Sequence, residues 1–171
     1  IPENHRKKVD EIADSLERRK FKVHMELGYG KGIMEYAIKK LLDRNCLDSL
    51  GMNETELGIL GISESNPLAL KEKMLSFLET TGLERMSLHT REYRLSVFKK
   101  LGRNLKAAEF SVQVCTAKAL GGIKANMEKA RTVPLSGLRP SKGGNFFIIP
   151  TRIVENPKAI VGLGDAAAVT D

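Results

Sequence analysis

Leu47-Asp48-Ser49-Leu50-Gly51-Met52-Asn53-Glu54-Thr55-Glu56-Leu57 is the stretch from which the fold is read. Leu47 to Met52 is apolar and of strand length. Asn53 follows it with a side chain suited to cap a helix over Glu54–Leu60. A strand running directly into a capped helix is the repeating unit of an α/β sheet.

The alternation continues on both sides. Upstream, Val9, Ile12, Ala13 and Leu16 recur at helical spacing between Glu3 and Lys20. Phe21 to Leu27 alternates toward a strand, Gly28-Tyr29-Gly30 breaks it, and Gly32–Asp43 reads as a second helix. Downstream, Asn66-Pro67 opens a helix that runs to Thr80 and stops at Gly82. Arg85–His89 and Tyr93–Phe98 read as strands, and Leu105–Leu120 as an alanine-rich helix closed by Gly121-Gly122. Arg131–Asn145 is turn-rich, and Asn145–Val154 reads as a strand pair around Pro150. Gly162-Leu163-Gly164-Asp165 then leads into a short alanine run. The expected fold is therefore α/β, a mostly parallel sheet flanked by helices, in one domain over residues 1–171. Ligands of such sheets gather at the carboxyl ends of the strands, where Glu26, Asn53, His89 and Asp165 fall.

Composition narrows the class. A chain of 171 residues buries roughly 70% of its unfolded surface, and 42% hydrophobic with 29% charged residues is ordinary for a globular domain. The longest apolar runs, such as Phe146–Ile149, do not span a bilayer, so no membrane partner is expected. Two cysteines, Cys46 and Cys115, make no disulfide framework and point to a reducing, cytoplasmic setting. The net charge of +7 invites a nucleic-acid partner. Interleaved acids, 5% aromatics and no Trp argue against one; attraction of anionic nucleotides and sugar phosphates explains the charge equally well.

Three motifs carry chemistry. In His24-Met25-Glu26 the two polar side chains share one face of a strand, and Glu26 is either a metal carboxylate or half of an ion pair. Asn53 and Glu56 have capping-box spacing, and Glu56 is alternatively placed to hold a magnesium shell through water. Gly162-Leu163-Gly164-Asp165 is either an ordinary turn or an anion site of exposed N–H groups beside a general base.

Taken together, these motifs resemble the ADP-dependent glucokinases and phosphofructokinases, a ribokinase-like family. The likeness is carried by Val23-His24-Met25-Glu26-Leu27, by Asp48 to Leu57, by Ser87-Leu88-His89-Thr90, and by Pro150 to Pro157 leading into Val161 to Asp165. It spans residues 20 to 168, more loosely from Tyr93 to Gly144.

The resemblance implies β-phosphoryl transfer from ADP to a hexose or hexose phosphate, glucose or fructose 6-phosphate, with Mg²⁺. It makes Asp165 the general base and gives the Gly162, Leu163 and Gly164 backbone the task of stabilising the moving phosphoryl group. Glu26 and Glu56 become the metal carboxylates. His89, Arg152 and Ile153 lie near the nucleotide, Arg152 being a phosphate contact or a plain surface arginine. The family's sugar-binding segment and lid precede its His-x-Glu strand, so a partial ribokinase-like sheet is expected, inactive alone and prone to self-association along a severed edge. An inactive nucleotide-binding relative and a basic nucleic-acid-binding domain remain the alternatives.

Overall fold

The computed structural model describes residues 1–28, 30–100, 105–124 and 126–158. In chain order the elements are α1 (Glu3–Glu17), β1 (His24–Glu26), α2 (Lys31–Asp43), β2 (Ser49–Asn53), a 3-10 helix (Glu56–Leu60), α3 (Pro67–Thr81), β3 (Arg85–His89) and β4 (Tyr93–Phe98). They continue with α4 (Leu105–Gly121), a 3-10 helix (Gly122–Lys124), α5 (Met127–Thr132), β5 (Ser141–Lys142) and β6 (Phe146–Pro150). No helix among the described residues is long and apolar enough to cross a membrane.

The strands form one sheet in the order β1-β2-β3-β4-β6-β5. β1, β2 and β3 are parallel, joined through α2 and α3, while β4, β6 and β5 pair antiparallel. The sheet is thus α/β and helix-flanked as expected, but mixed rather than mostly parallel. The reason is the link from His89 to Tyr93, which holds only Thr90, Arg91 and Glu92. A parallel crossover needs a dozen residues or more, so a connection of this length turns the chain back on itself. Thr90 fastens the turn: its Oγ1 accepts from the Tyr93 N–H at 2.8 Å and the Glu92 N–H at 3.1 Å.

Two further expectations change. The pair expected around Pro150 is a single strand ending there; beyond it Arg152 bridges to Leu135 in the preceding turn-rich stretch. That stretch also contains the last residues of α5 and all of β5.

Period-two alternation divides the sheet into unlike faces. Leu50, Met52, Met86, Leu88, Leu95, Val97 and Ile148 point to one side and pack under Ala13 of α1, Ile38 and Leu41 of α2, and Leu70, Met74 and Leu78 of α3. Fully burying each such side chain stabilises the fold by about 1.5–3 kcal/mol. The other face is apolar at β6 and the end of β4, where Phe147, Ile149 and Phe98 meet Ala108 and Val112 of α4. Toward β1 it carries Ser96, Arg94, Ser87, Ser49, His24 and Glu26. Burial of these groups requires partners. Ser87 and Ser96 hydroxyls lie 2.9 Å apart, and the buried Arg94 guanidinium donates to the Ser111 hydroxyl.

α3 shows how local sequence fixes an element. Asn66 Oδ1 accepts from the Leu68 N–H at 2.9 Å and the Ala69 N–H at 3.2 Å, Pro67 occupies the first turn, and Gly82 ends the helix at φ 78°. Replacing Asn66 with Ala removes the cap and is expected to lower unfolding free energy by about 1 kcal/mol, read from the denaturation midpoint. An unchanged midpoint would show that water satisfies those N–H groups equally well.

Candidate functional site

The polar face reaches solvent at the carboxyl ends of the parallel strands. Glu26 ends β1, Asn53 ends β2 and His89 ends β3. Asn53 and His89 are direct register partners, as are Glu26 and Gly51. Side chains of His24, Glu26 and His89 are 24%, 19% and 20% exposed, enclosed enough to be fixed and open enough to meet a ligand.

A short polar chain runs across this edge. Ser49 Oγ lies 2.8 Å from His24 Nδ1, and His24 Nε2 lies 3.2 Å from Glu26 Oε2. Glu26 Oε1 lies 3.8 Å from His89 Nε2, within ion-pair reach but beyond a hydrogen bond. The His89 ring is nevertheless held neutral, with its pKa lowered to about 3. Burial is the largest cause, followed by Arg94, the neighbouring His24 ring and Arg85. A carboxylate that makes no bond to the ring does not outweigh them.

Asn53 and Glu56 form the capping box that their spacing suggests. The Asn53 N–H donates to Glu56 Oε2 at 2.8 Å, and Asn53 Oδ1 accepts from the Glu56 N–H at 3.1 Å. The cap opens the 3-10 helix Glu56–Leu60 rather than a helix over Glu54–Leu60. Burial raises the Glu56 pKa and the negative charge of Glu26 raises it further, while the bonds to Asn53 lower it. Glu26 and Glu56 therefore stand close enough to repel one another, although they come from different elements.

A divalent cation would relieve that repulsion. No group of three or more His, Cys, Asp or Glu side chains among the described residues is arranged to hold a metal by itself. The donor set fits a hard cation bound chiefly by phosphate oxygens and water, with one or two protein carboxylates beside it.

Three loops meet beside this edge. The Thr151 N–H donates to the Glu92 carbonyl at 3.0 Å, the Ser136 N–H to the Thr151 carbonyl at 2.9 Å, and the Ile153 N–H to the Pro134 carbonyl at 3.1 Å. The Arg152 guanidinium donates to the Val133 carbonyl, so in this structure it ties two loops together. Near the same turn, burial and the charge of Glu92 raise the pKa of Glu54.

The structure thus brings Glu26, Glu56 and His89 to one edge of the sheet and places Arg152 and Ile153 in the loop braid. Gly162, Leu163, Gly164 and Asp165 lie outside the described residues. Cys46 is buried and Cys115 half-buried, and the two form no disulfide. Residues that sequence reasoning missed are Ser49 and Gly51. Their signal was two small residues at alternate positions of an otherwise large, apolar strand.

Residues 2–170 match the family model described as the ADP-specific phosphofructokinase/glucokinase conserved region. The chain is 32% identical to the ADP-dependent glucose/glucosamine kinase of Pyrococcus abyssi over 177 residues, covering 90% of this chain and 37% of that protein. It is 26% identical over 204 residues to the enzyme of the same name from Pyrococcus furiosus, covering 95% of this chain and 44% of that protein. Among solved structures, an ADP-dependent kinase in complex with fructose-6-phosphate and ADPbetaS superposes with a TM-score of 0.74 at 23% identity. That match covers 96% of this chain and 47% of the other. The chain spans less than half the length of the curated relatives it matches.

Proposed function

The chain belongs to the ADP-specific phosphofructokinase/glucokinase family, and on that premise we propose that it is the nucleotide-binding part of an ADP-dependent sugar kinase. The observation that carries this reading is the meeting of Glu26, Glu56 and a neutral His89 at the carboxyl ends of three adjacent strands or just beyond them. In open α/β sheets that edge is where ligands bind.

In the proposed reaction a hydroxyl oxygen of glucose or fructose 6-phosphate attacks the β-phosphorus of ADP. A new P–O bond forms, the bond to the bridging oxygen breaks, and AMP leaves. Asp165 takes the proton of the attacking hydroxyl. The backbone N–H groups of Gly162, Leu163 and Gly164 face the charge spread over the transferring group. Glu26 and Glu56 hold the water shell of Mg²⁺, which when bound neutralises the diphosphate. His89, uncharged at neutral pH, offers a polar contact without adding cationic charge. Arg152 and Ile153 flank the nucleotide through the loop braid they stabilise. Because positioning supplies much of the catalysis in phosphoryl transfer, turnover requires the sugar hydroxyl to be held in line with the β-phosphate.

Calorimetric titration of the 171-residue chain with ADP tests the reading. Saturable binding is expected, strengthened by Mg²⁺. Glu26→Ala and Glu56→Ala are each expected to raise the Mg²⁺ concentration required for that binding by about 10-fold. Binding of nucleic acid that falls steeply with salt and is untouched by ADP would overturn the proposal.

A further inference from the structure

We propose that Gly51 is a positioning residue for the Glu26 carboxylate: β2 carries no side chain there so that Glu26 can lie across the strand and face His89. The inference rests on the reading above that Glu26 belongs to the metal–nucleotide site.

Glu26 and Gly51 are register partners on neighbouring parallel strands and share the polar face. A Cβ on Gly51 would fall 1.8 Å from Glu26 Oε2, 2.7 Å from its Cδ and 3.1 Å from His24 Nε2. No real structure tolerates such contacts, so the carboxylate occupies the volume that any other residue at this position would fill. Backbone conformation does not demand the glycine, since Gly51 is absent from the positive-φ residues. Strand physics opposes it, because glycine in a strand interior loses entropy and contributes no packing. On the opposite face its neighbours Leu50 and Met52 are completely buried, so the strand is otherwise built for the core. Ser49, two residues earlier on the same polar face, is the other small residue of β2, and its hydroxyl meets His24 Nδ1 at 2.8 Å. Together Ser49 and Gly51 form a trough in which the His24–Glu26 pair lies.

With Ala at position 51, the first group to move is the end of the Glu26 side chain, since a flexible carboxylate yields before two packed strands do. It leaves His24 Nε2 and its place facing His89. The sheet persists while the carboxylate points elsewhere.

The test compares Gly51→Ala, Glu26→Ala and the double variant of the 171-residue chain with the wild type. Imidazole ¹H–¹⁵N spectra at fixed pH resolve the three histidines, and His24→Gln assigns the His24 ring. In Gly51→Ala the His24 signals are expected to move toward their positions in Glu26→Ala, with Tm lowered by only a few degrees. The Mg²⁺ concentration giving half-maximal ADP binding should rise about 10-fold in each single variant and no further in the double. Unchanged His24 signals in Gly51→Ala, or effects of the two substitutions that multiply, would overturn the proposal. Should Gly51→Ala fail to fold, refolding on addition of Glu26→Ala supports the trough, and failure of the double variant as well assigns the glycine to the strand alone. If the wild type binds no Mg·ADP, the kinase reading fails while the histidine spectra still decide the role of Gly51.

Discussion

Replacing Asp165 with Ala is expected to lower kcat for β-phosphoryl transfer by about 10²- to 10⁴-fold in a kinase where this segment works with a sugar-binding one. A sugar hydroxyl is a weak nucleophile until its proton is removed. In Gly162-Leu163-Gly164-Asp165 the carboxylate is the one titratable group beside the glycine backbone that would face the phosphoryl group. Removing it leaves the diphosphate contacts in place, so ADP affinity should change by less than threefold while turnover collapses. Steady-state AMP release by Asp165→Ala and Asp165→Asn separates the two quantities. A rate within a few fold of wild type for both variants would mean that another group, or water, takes the proton.

Acidification is expected to destabilise the folded chain through His89. Its pKa is about 3 in the folded state, against an ordinary value near 6.5 in the unfolded chain. Between those values the unfolded state binds a proton that the folded state refuses. Stability present above pH 6.5 is therefore lost as the pH falls toward 3, by at most about 1.4 kcal/mol per pH unit. Burial raises Glu54 and Glu56, which act in the opposite direction near their own range. The paired carboxylates Asp48 and Glu64 are lowered and weaken the fold only in more acid solution. From pH 6.5 to 5 the slope is therefore set by His89 and offset in part by Glu54 and Glu56. Denaturant unfolding should lose at most about 1.6 kcal/mol across that range, and His89→Gln should flatten or invert the slope. A wild-type slope that survives this substitution would place the titrating group elsewhere.

Most of the fold could be read locally because its elements announce themselves by short-range chemistry. Asn66-Pro67 and Gly82 bracket α3 in the sequence as they do in the structure. The direction of β4 was also encoded, in a link too short for a crossover, yet the regular alternation of strands and helices outweighed that signal. α5 was hidden because it has only six residues, and its cap, Asn126, precedes a stretch dominated by prolines and glycines.

At the site, alternation alone puts His24 and Glu26 on one face, and capping-box spacing alone joins Asn53 to Glu56. The nearness of Glu26 to Glu56 and of Glu26 to His89 depends on strand order, which no local pattern supplies. Gly51 became meaningful only once Glu26 was known to be its register partner. His89 read as a polar residue on a buried strand; its neutrality depends first on the depth of that burial and then on Arg94 and Arg85, which the sheet brings alongside.

In the proposed site the carboxylates of Glu26 and Glu56 share one pocket with a metal-bound diphosphate. Crystals of the chain grown with Mn²⁺ and ADP test it directly, the anomalous signal of manganese marking the cation. Manganese is expected on the diphosphate oxygens, about 4–5 Å from both carboxylates and joined to them through water. Manganese and diphosphate bound away from the carboxyl ends of β1, β2 and β3, with Glu26 and Glu56 untouched, would contradict it.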